Sequence, residues 1–151
     1  MHDKNLIHIV MADDDEDDIL LTEKAFQQNR LLNKFSKVRN GEELLDFLHN
    51  RGMYQDTEAY PRPGLILLDL NMPKKDGRET LREIKADEKF KDIPIVIFTT
   101  SKAEEDIYRS YKMGVNSFIT KPVTFDKLIE VIRVVGEYWL EIVELPSDRK
   151  K

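Results

Sequence analysis

Six acidic residues occupy positions 13–18, directly after the apolar run LIHIVMA at 6–12. Further along, Asp69 stands near the end of a second apolar run, GLILLDL at 64–70. Thr99 and Thr100 end a third at 93–100, and Lys121 with Pro122 follows a fourth at 116–120. Carboxylates brought together repel, and their pKa values rise unless a cation relieves them. A hard divalent ion with oxygen ligands does this, and Mg²⁺ suits best, because it takes one or two carboxylates together with waters and phosphate oxygens. A carboxylate beside such an ion is also a nucleophile toward phosphorus and gives an aspartyl phosphate. That chemistry needs the metal to neutralise charge and donors aimed at the phosphoryl oxygens. Asp69 is the candidate nucleophile, Asp13 and Asp14 the candidate metal carboxylates, and Lys121 and Thr99 the candidate donors.

The elements that must position these residues can be read from the apolar pattern. The runs at 6–12, 64–70, 93–100 and 116–120 are short and bounded by acid or turn residues, which predicts buried strands; 33–38 is a weaker fifth. Helical periodicity appears at 16–29, with Ile19, Thr22, Ala25 and Phe26 on one side, and at 41–50, with Leu44, Leu45, Phe47 and Leu48. Asp76 with Glu79 resembles a capping box that opens a helix running to about 88, and Ser101 with Glu104 resembles another, ended by Gly114. A last helix from about 125 to 143 carries Leu128, Ile132, Val135, Trp139 and Ile142 at helical spacing. Residues 51–63, with two prolines and a glycine, predict a long loop.

Five strands alternating with five helices imply a parallel sheet covered on both faces. With right-handed crossovers the expected fold is α/β, a doubly wound five-stranded parallel sheet. Ligands of such sheets sit beyond the carboxyl ends of the strands, where the candidate residues stand.

The totals exclude several classes. At 151 residues, one domain is expected, and 40% hydrophobic with 35% charged residues describes a globular protein with a highly charged surface. No apolar run reaches the roughly 18 residues of a membrane span, and the acidic N-terminus lacks the marks of a signal peptide. There is no cysteine, so disulfides and thiolate metal sites are excluded, in keeping with a cytoplasmic protein. With a net charge of −5 and basic residues clustered only at 149–151, no nucleic-acid partner is expected.

The segments ADDD (12–15), LLDLNMPKKDG (67–77), FTTS (98–101) and ITKP (119–122) together resemble the receiver domain of bacterial two-component response regulators. Thirty residues separate Asp69 from Thr99 and twenty-two separate Thr99 from Lys121, as in that family. The resemblance implies a flavodoxin-like (βα)5 sheet of strand order 2-1-3-4-5. It implies that Asp69 accepts a phosphoryl group from a sensor histidine kinase or a phosphotransfer protein in a Mg²⁺-dependent reaction. Asp14 would be a direct metal ligand, Asp13 would act through water, and Asn71 would offer its backbone carbonyl. Thr99 would be the switch hydroxyl, Phe118 the switch aromatic, and the bond before Pro122 would be cis. The chain would then be a signalling domain rather than an enzyme, catalysing only its own phosphorylation and dephosphorylation and passing its signal to a downstream protein. A single receiver domain is expected over 1–146, with its core at about 5–143, a polar tail at 147–151 and no output domain. The loop at 51–63 and EYWLEIVELP at 137–146 resemble the small regulators paired with phytochrome-type kinases. That likeness admits a homodimer through the last helix.

Each residue has a plainer account when taken alone. Asp13 and Asp14 would be a solvated helix cap, Asp69 a turn residue, Thr99 a strand residue, Lys121 a surface lysine and Phe118 core. Asp15 to Asp18 suit the positive end of the first helix. His2, His8 and His49 lack ligand spacing and read as structural or solvated. Met53, Tyr54 and Tyr60 read as a packed loop more readily than as a partner surface. Two rival functions remain at this point. An aspartyl-phosphate phosphatase would typically want a second aspartate two residues past the nucleophile, where this chain has Asn71. A degenerate receiver that only binds would usually lack one of the acidic, acceptor or lysine residues, and all are present.

Overall fold

The computed structural model describes residues 6–142, with side chains to 139. The strands are β1 (Ile9–Ala12), β2 (Phe35–Val38), β3 (Leu65–Leu68), β4 (Ile95–Thr99) and β5 (Ser117–Thr120). Between and after them lie α1 (Glu16–Gln28), α2 (Gly41–His49), α3 (Gly77–Ala86), α4 (Glu104–Lys112) and α5 (Phe125–Val135). All strand pairs are parallel, in the order β2-β1-β3-β4-β5, which is the expected doubly wound, flavodoxin-like arrangement. β1 and β3 are buried along their whole length because both of their faces are covered. One face, with Val10, Ile66, Leu68 and Ile97, packs on Leu44 and Phe47 of α2 and Leu81 and Ile84 of α3. The other, with Ile9, Met11, Leu67 and Phe98, packs on Ile19 and Phe26 of α1 and Leu128 and Ile132 of α5.

Differences from the expected elements have local causes. Leu6 to His8 precede β1 because the neighbouring strands begin opposite Ile9, at Phe35 and Leu65. The last helix stops being α-helical at Gly136 and continues to Ile142 as a π-helix. A side chain at Gly136 would stand 2.7 Å from Leu31, so the glycine lets this helix lie close against the end of α1. The helix end at 143, the tail at 147–151 and His2 lie outside the described residues. The long loop is packed: Asn50, at φ 53°, donates from Nδ2 to the carbonyls of Tyr54 and Tyr60, and the Tyr60 ring packs edge-on against Tyr54 and Phe47 while Tyr54 lies tilted against Phe47. Met53 alone of the three named loop residues is exposed. Among the described residues no helix is long and apolar enough to cross a membrane.

His8 ties this loop to the sheet. Its Nδ1 donates to the Pro61 carbonyl (3.0 Å), which leaves Nε2 to accept from the Ser36 hydroxyl (2.7 Å). Burial lowers the pKa of the ring, the Pro61 bond opposes that, and Lys34 adds to it. The unfolded chain therefore takes up a proton near the ordinary histidine pKa while the folded one still resists. The stability supplied by neutral His8 is present in full above about pH 6.5 and is lost as the pH falls through the lowered folded value. Urea unfolding at pH 7.5 and 5.5 is expected to show a loss at the lower pH that shrinks in a His8→Gln variant.

Candidate functional site

The register aligns the chemistry. Ala12 pairs with Leu68, so Asp13 and Asp69 emerge side by side, and the Asp69 amide donates to the Ala12 carbonyl. Thr99 pairs with Thr120, and the Lys121 amide donates to the Thr99 carbonyl, which puts Lys121 at the same sheet end. Asp13, Asp69 and Thr99 are buried, whereas Asp14 is exposed.

Carboxylate oxygens of Asp13, Asp14 and Asp69 lie within 4.8 Å of one another. Burial pushes the Asp13 carboxyl up to about 6, although contacts with Lys121 and the Asp15 amide oppose the rise and Asp69 adds to it. Lys121 Nζ stands 2.6 Å from Asp13 Oδ2, 2.7 Å from Asp18 Oδ2 and 3.8 Å from Asp69 Oδ2. The Asp13 contact is a charge contact without hydrogen-bond alignment, so that oxygen has no aligned donor among the described residues. Burial alone would lower the lysine pKa, but Asp13 and Asp18 outweigh it and hold Lys121 above its ordinary value. The Thr99 hydroxyl is also buried with no partner among the described residues. Crowded carboxylates with an unaligned buried oxygen are the donor set that a hard divalent cation fits. The free hydroxyl and the ammonium are donors suited to an oxyanion beyond Asp69.

Asn71 is exposed, its amide reaches toward Asp69 Oδ1 (3.4 Å), and its side-chain oxygen accepts from Arg78. Phe118 is half-buried against the α2/α3 side of the core, and its amide donates to the Tyr111 hydroxyl (3.0 Å). The cis expectation is corrected: no described peptide bond is cis, so the Lys121–Pro122 bond is trans, the isomer preferred even before proline.

Two features have no signal in the sequence. Arg78 grips Asp106 of α4 through Nε and Nη2 (2.9 and 2.8 Å), and the Ser101 hydroxyl donates to the same carboxylate (2.8 Å). Chiefly through Arg78, the Asp106 carboxyl falls to about 2. Ser101 therefore does not cap α4: the cap position is Ala103, with no side-chain bond. The other feature is Asp18. Of the acidic run, Asp15 is the cap of α1, accepting from the amides of Asp17 and Asp18, while Asp18 turns to Lys121. At the other capping box, Asp76 does accept from the Glu79 amide.

Gly77 sets the position of Asp69. A Cβ there would lie 2.1 Å from the Asp69 carbonyl oxygen and 2.7 Å from Leu70 Cα, both backbone atoms with no freedom to swing aside. Gly77→Ala is expected to destabilise the fold by about 1–3 kcal/mol and to weaken divalent-cation binding, measured by denaturant melts and by Mg²⁺ titration.

A family profile described as the response regulator receiver domain matches residues 9–133. The chain is 38% identical over 139 residues to Response regulator Rcp1 of Synechocystis sp., covering 92% of each protein. It is 40% identical to the phosphorylated cyanobacterial phytochrome response regulator RcpA, whose crystal structure superposes with a TM-score of 0.86 over 93% of this chain and 99% of that one. The crystal structure of the Mn²⁺-bound form of Rcp1 is 38% identical, with a TM-score of 0.84 and the same coverage. With that profile, those relatives and this strand order, the chain belongs to the response regulator receiver domains, phosphoacceptor proteins of two-component signalling.

Proposed function

We propose that Asp69 is the phosphoacceptor and that Asp13, Asp14, Asp69 and the Asn71 backbone carbonyl hold Mg²⁺. The observation that carries this is the meeting of three carboxylates with one ammonium and one unpartnered buried hydroxyl. When bound, the ion supplies the charge neutralisation that lets a carboxylate approach a phosphoryl group. The Asp69 oxygen forms the new O–P bond as the N–P bond of a phosphohistidine donor breaks, and the departing imidazole takes up a proton. Lys121 pairs with one phosphoryl oxygen and the Thr99 hydroxyl donates to another. The chain itself catalyses this transfer and the slow hydrolysis that resets it.

Phosphorylation adds negative charge at Asp69, which draws Thr99 inward and lets Phe118 follow. The Phe118 amide is bonded to Tyr111 of α4, so movement of Phe118 reaches this helix, which buries only Ser110 and is held by the bonds of Arg78 and Ser101 to Asp106. A downstream protein reads the changed surface of α4, β5 and α5. The kinase is of the phytochrome type, by the likeness to the phytochrome response regulator RcpA. The protein acts in the cytoplasm, where its receiver domain signals by contact with that downstream protein and pairs with a second copy through its last helix.

The test is transfer from a radiolabelled, autophosphorylated phytochrome-type kinase. Label should pass to the wild-type chain within seconds to minutes in Mg²⁺ and remain on the kinase in chelator. Label that stays on the kinase in both conditions would overturn the pairing.

A further inference from the structure

The ammonium of Lys121 has three protons and several carboxylates within reach. Its one aligned side-chain bond is to Asp18 Oδ2 (2.7 Å), while Asp69 Oδ2 at 3.8 Å is beyond hydrogen-bond distance. The ammonium is thus parked toward α1 and away from the acceptor. To bond an oxygen placed beyond Asp69, it must shift toward the acceptor and away from a present partner, although it has protons to spare. Asp13 is poorly placed to be that partner: it is fully buried, its Oδ1 accepts from the Asp15 amide, and it belongs to the carboxylate cluster. Asp18 is differently situated. Its side chain is 32% exposed, and it lines a cavity of about 120 Å³ with Thr22, Lys121 and Thr124, where water can replace the ammonium.

We propose that Asp18 is a positioning residue that competes with the phosphoryl group for Lys121 and so sets the balance between the unphosphorylated and phosphorylated states. The inference rests on the acceptor role of Asp69. Phosphorylation releases the Asp18–Lys121 bond, and restoring that bond helps to draw the lysine back after hydrolysis. Asp18 makes the active form less favourable without touching the phosphoryl group or the metal.

Beryllofluoride, a stand-in for the phosphoryl group, tests this by calorimetric titration of the full chain in excess Mg²⁺. Asp18→Asn removes the competitor and is expected to tighten binding about three- to tenfold, in line with a charge-assisted bond discounted for its exposure. Asp18→Glu retains a competing carboxylate and should stay within about twofold of wild type. Asp17→Asn, which makes the same charge change at an exposed neighbour with no contact to Lys121, should also stay within about twofold, because an exposed charge is weakened by solvent and salt. If Asp18→Asn merely matches Asp17→Asn, or binds more weakly than wild type, the competition is refuted while the acceptor role stands. If the wild type itself binds no beryllofluoride, the acceptor role fails and the inference fails with it.

Discussion

Replacing Lys121 with alanine is expected to cost about 3 kcal/mol of stability in chelator and to slow phosphoryl uptake about 100-fold in Mg²⁺. The lysine side chain is 9% exposed and is the one cation among the described residues that reaches Asp13, Asp18 and Asp69. Removing a partner from a buried ion pair costs about 3–5 kcal/mol because the remaining charge is left uncompensated. The partial exposure of Asp18 puts the expectation at the lower end. The rate effect follows from losing one donor aimed at the transferring group, a loss of about 10²–10³ where it has been isolated. Mg²⁺ neutralises carboxylates that the lysine otherwise balances, so the stability gap should narrow when the ion is added. Thermal melts with and without Mg²⁺ measure the first effect and stopped-flow uptake from acetyl phosphate the second. An unchanged uptake rate would remove Lys121 from the mechanism.

Asp13→Asn is expected to do the reverse to stability, raising it in chelator by about 1–2 kcal/mol at pH 7.5. The sign follows from the direction of the pKa. Asp13 is raised to about 6 in the folded protein, so the folded chain holds a proton that the unfolded chain has already lost. The penalty grows as the pH rises from the ordinary carboxylate value toward 6 and is complete above it. Asparagine removes that charge and keeps an oxygen for the Asp15 amide, whose bond to Asp13 Oδ1 is 2.9 Å. The same substitution should abolish most of the gain in Tm that Mg²⁺ confers on the wild type. A buried carboxylate that destabilises the empty protein and is needed by the ion is strain stored at a functional site. A lower Tm for the variant in chelator would contradict this account.

The strand-end chemistry was legible in the sequence because it depends on local order. Asp13, Asp69 and Lys121 each follow a short apolar run, and parallel strands of matched register bring such ends together. The sheet order was less local and came from the likeness of four motifs to a known family. Asp18 and Arg78 were illegible for the opposite reason. Their partners, Lys121 and Asp106, lie 103 and 28 residues away on elements whose helical faces the apolar pattern does not orient finely enough. The error at Ser101 has the same origin. A serine three residues before a glutamate satisfies the capping pattern, but Asp106, fixed by Arg78, takes the hydroxyl first. The packing of the 51–63 loop, by contrast, was legible at Tyr54 and Tyr60, which with Phe47 and the Asn50 side chain give it a core of its own, whereas Met53 is exposed.

The central claim is that Asp69 takes the phosphoryl group with a divalent ion beside it. The most direct measurement is to incubate the chain with acetyl phosphate in Mg²⁺, reduce the acyl phosphate with borohydride, and locate the converted residue by tandem mass spectrometry. One converted site is expected, at Asp69, absent in chelator and absent from Asp69→Asn. A converted residue elsewhere, or an adduct that persists in Asp69→Asn, would contradict it.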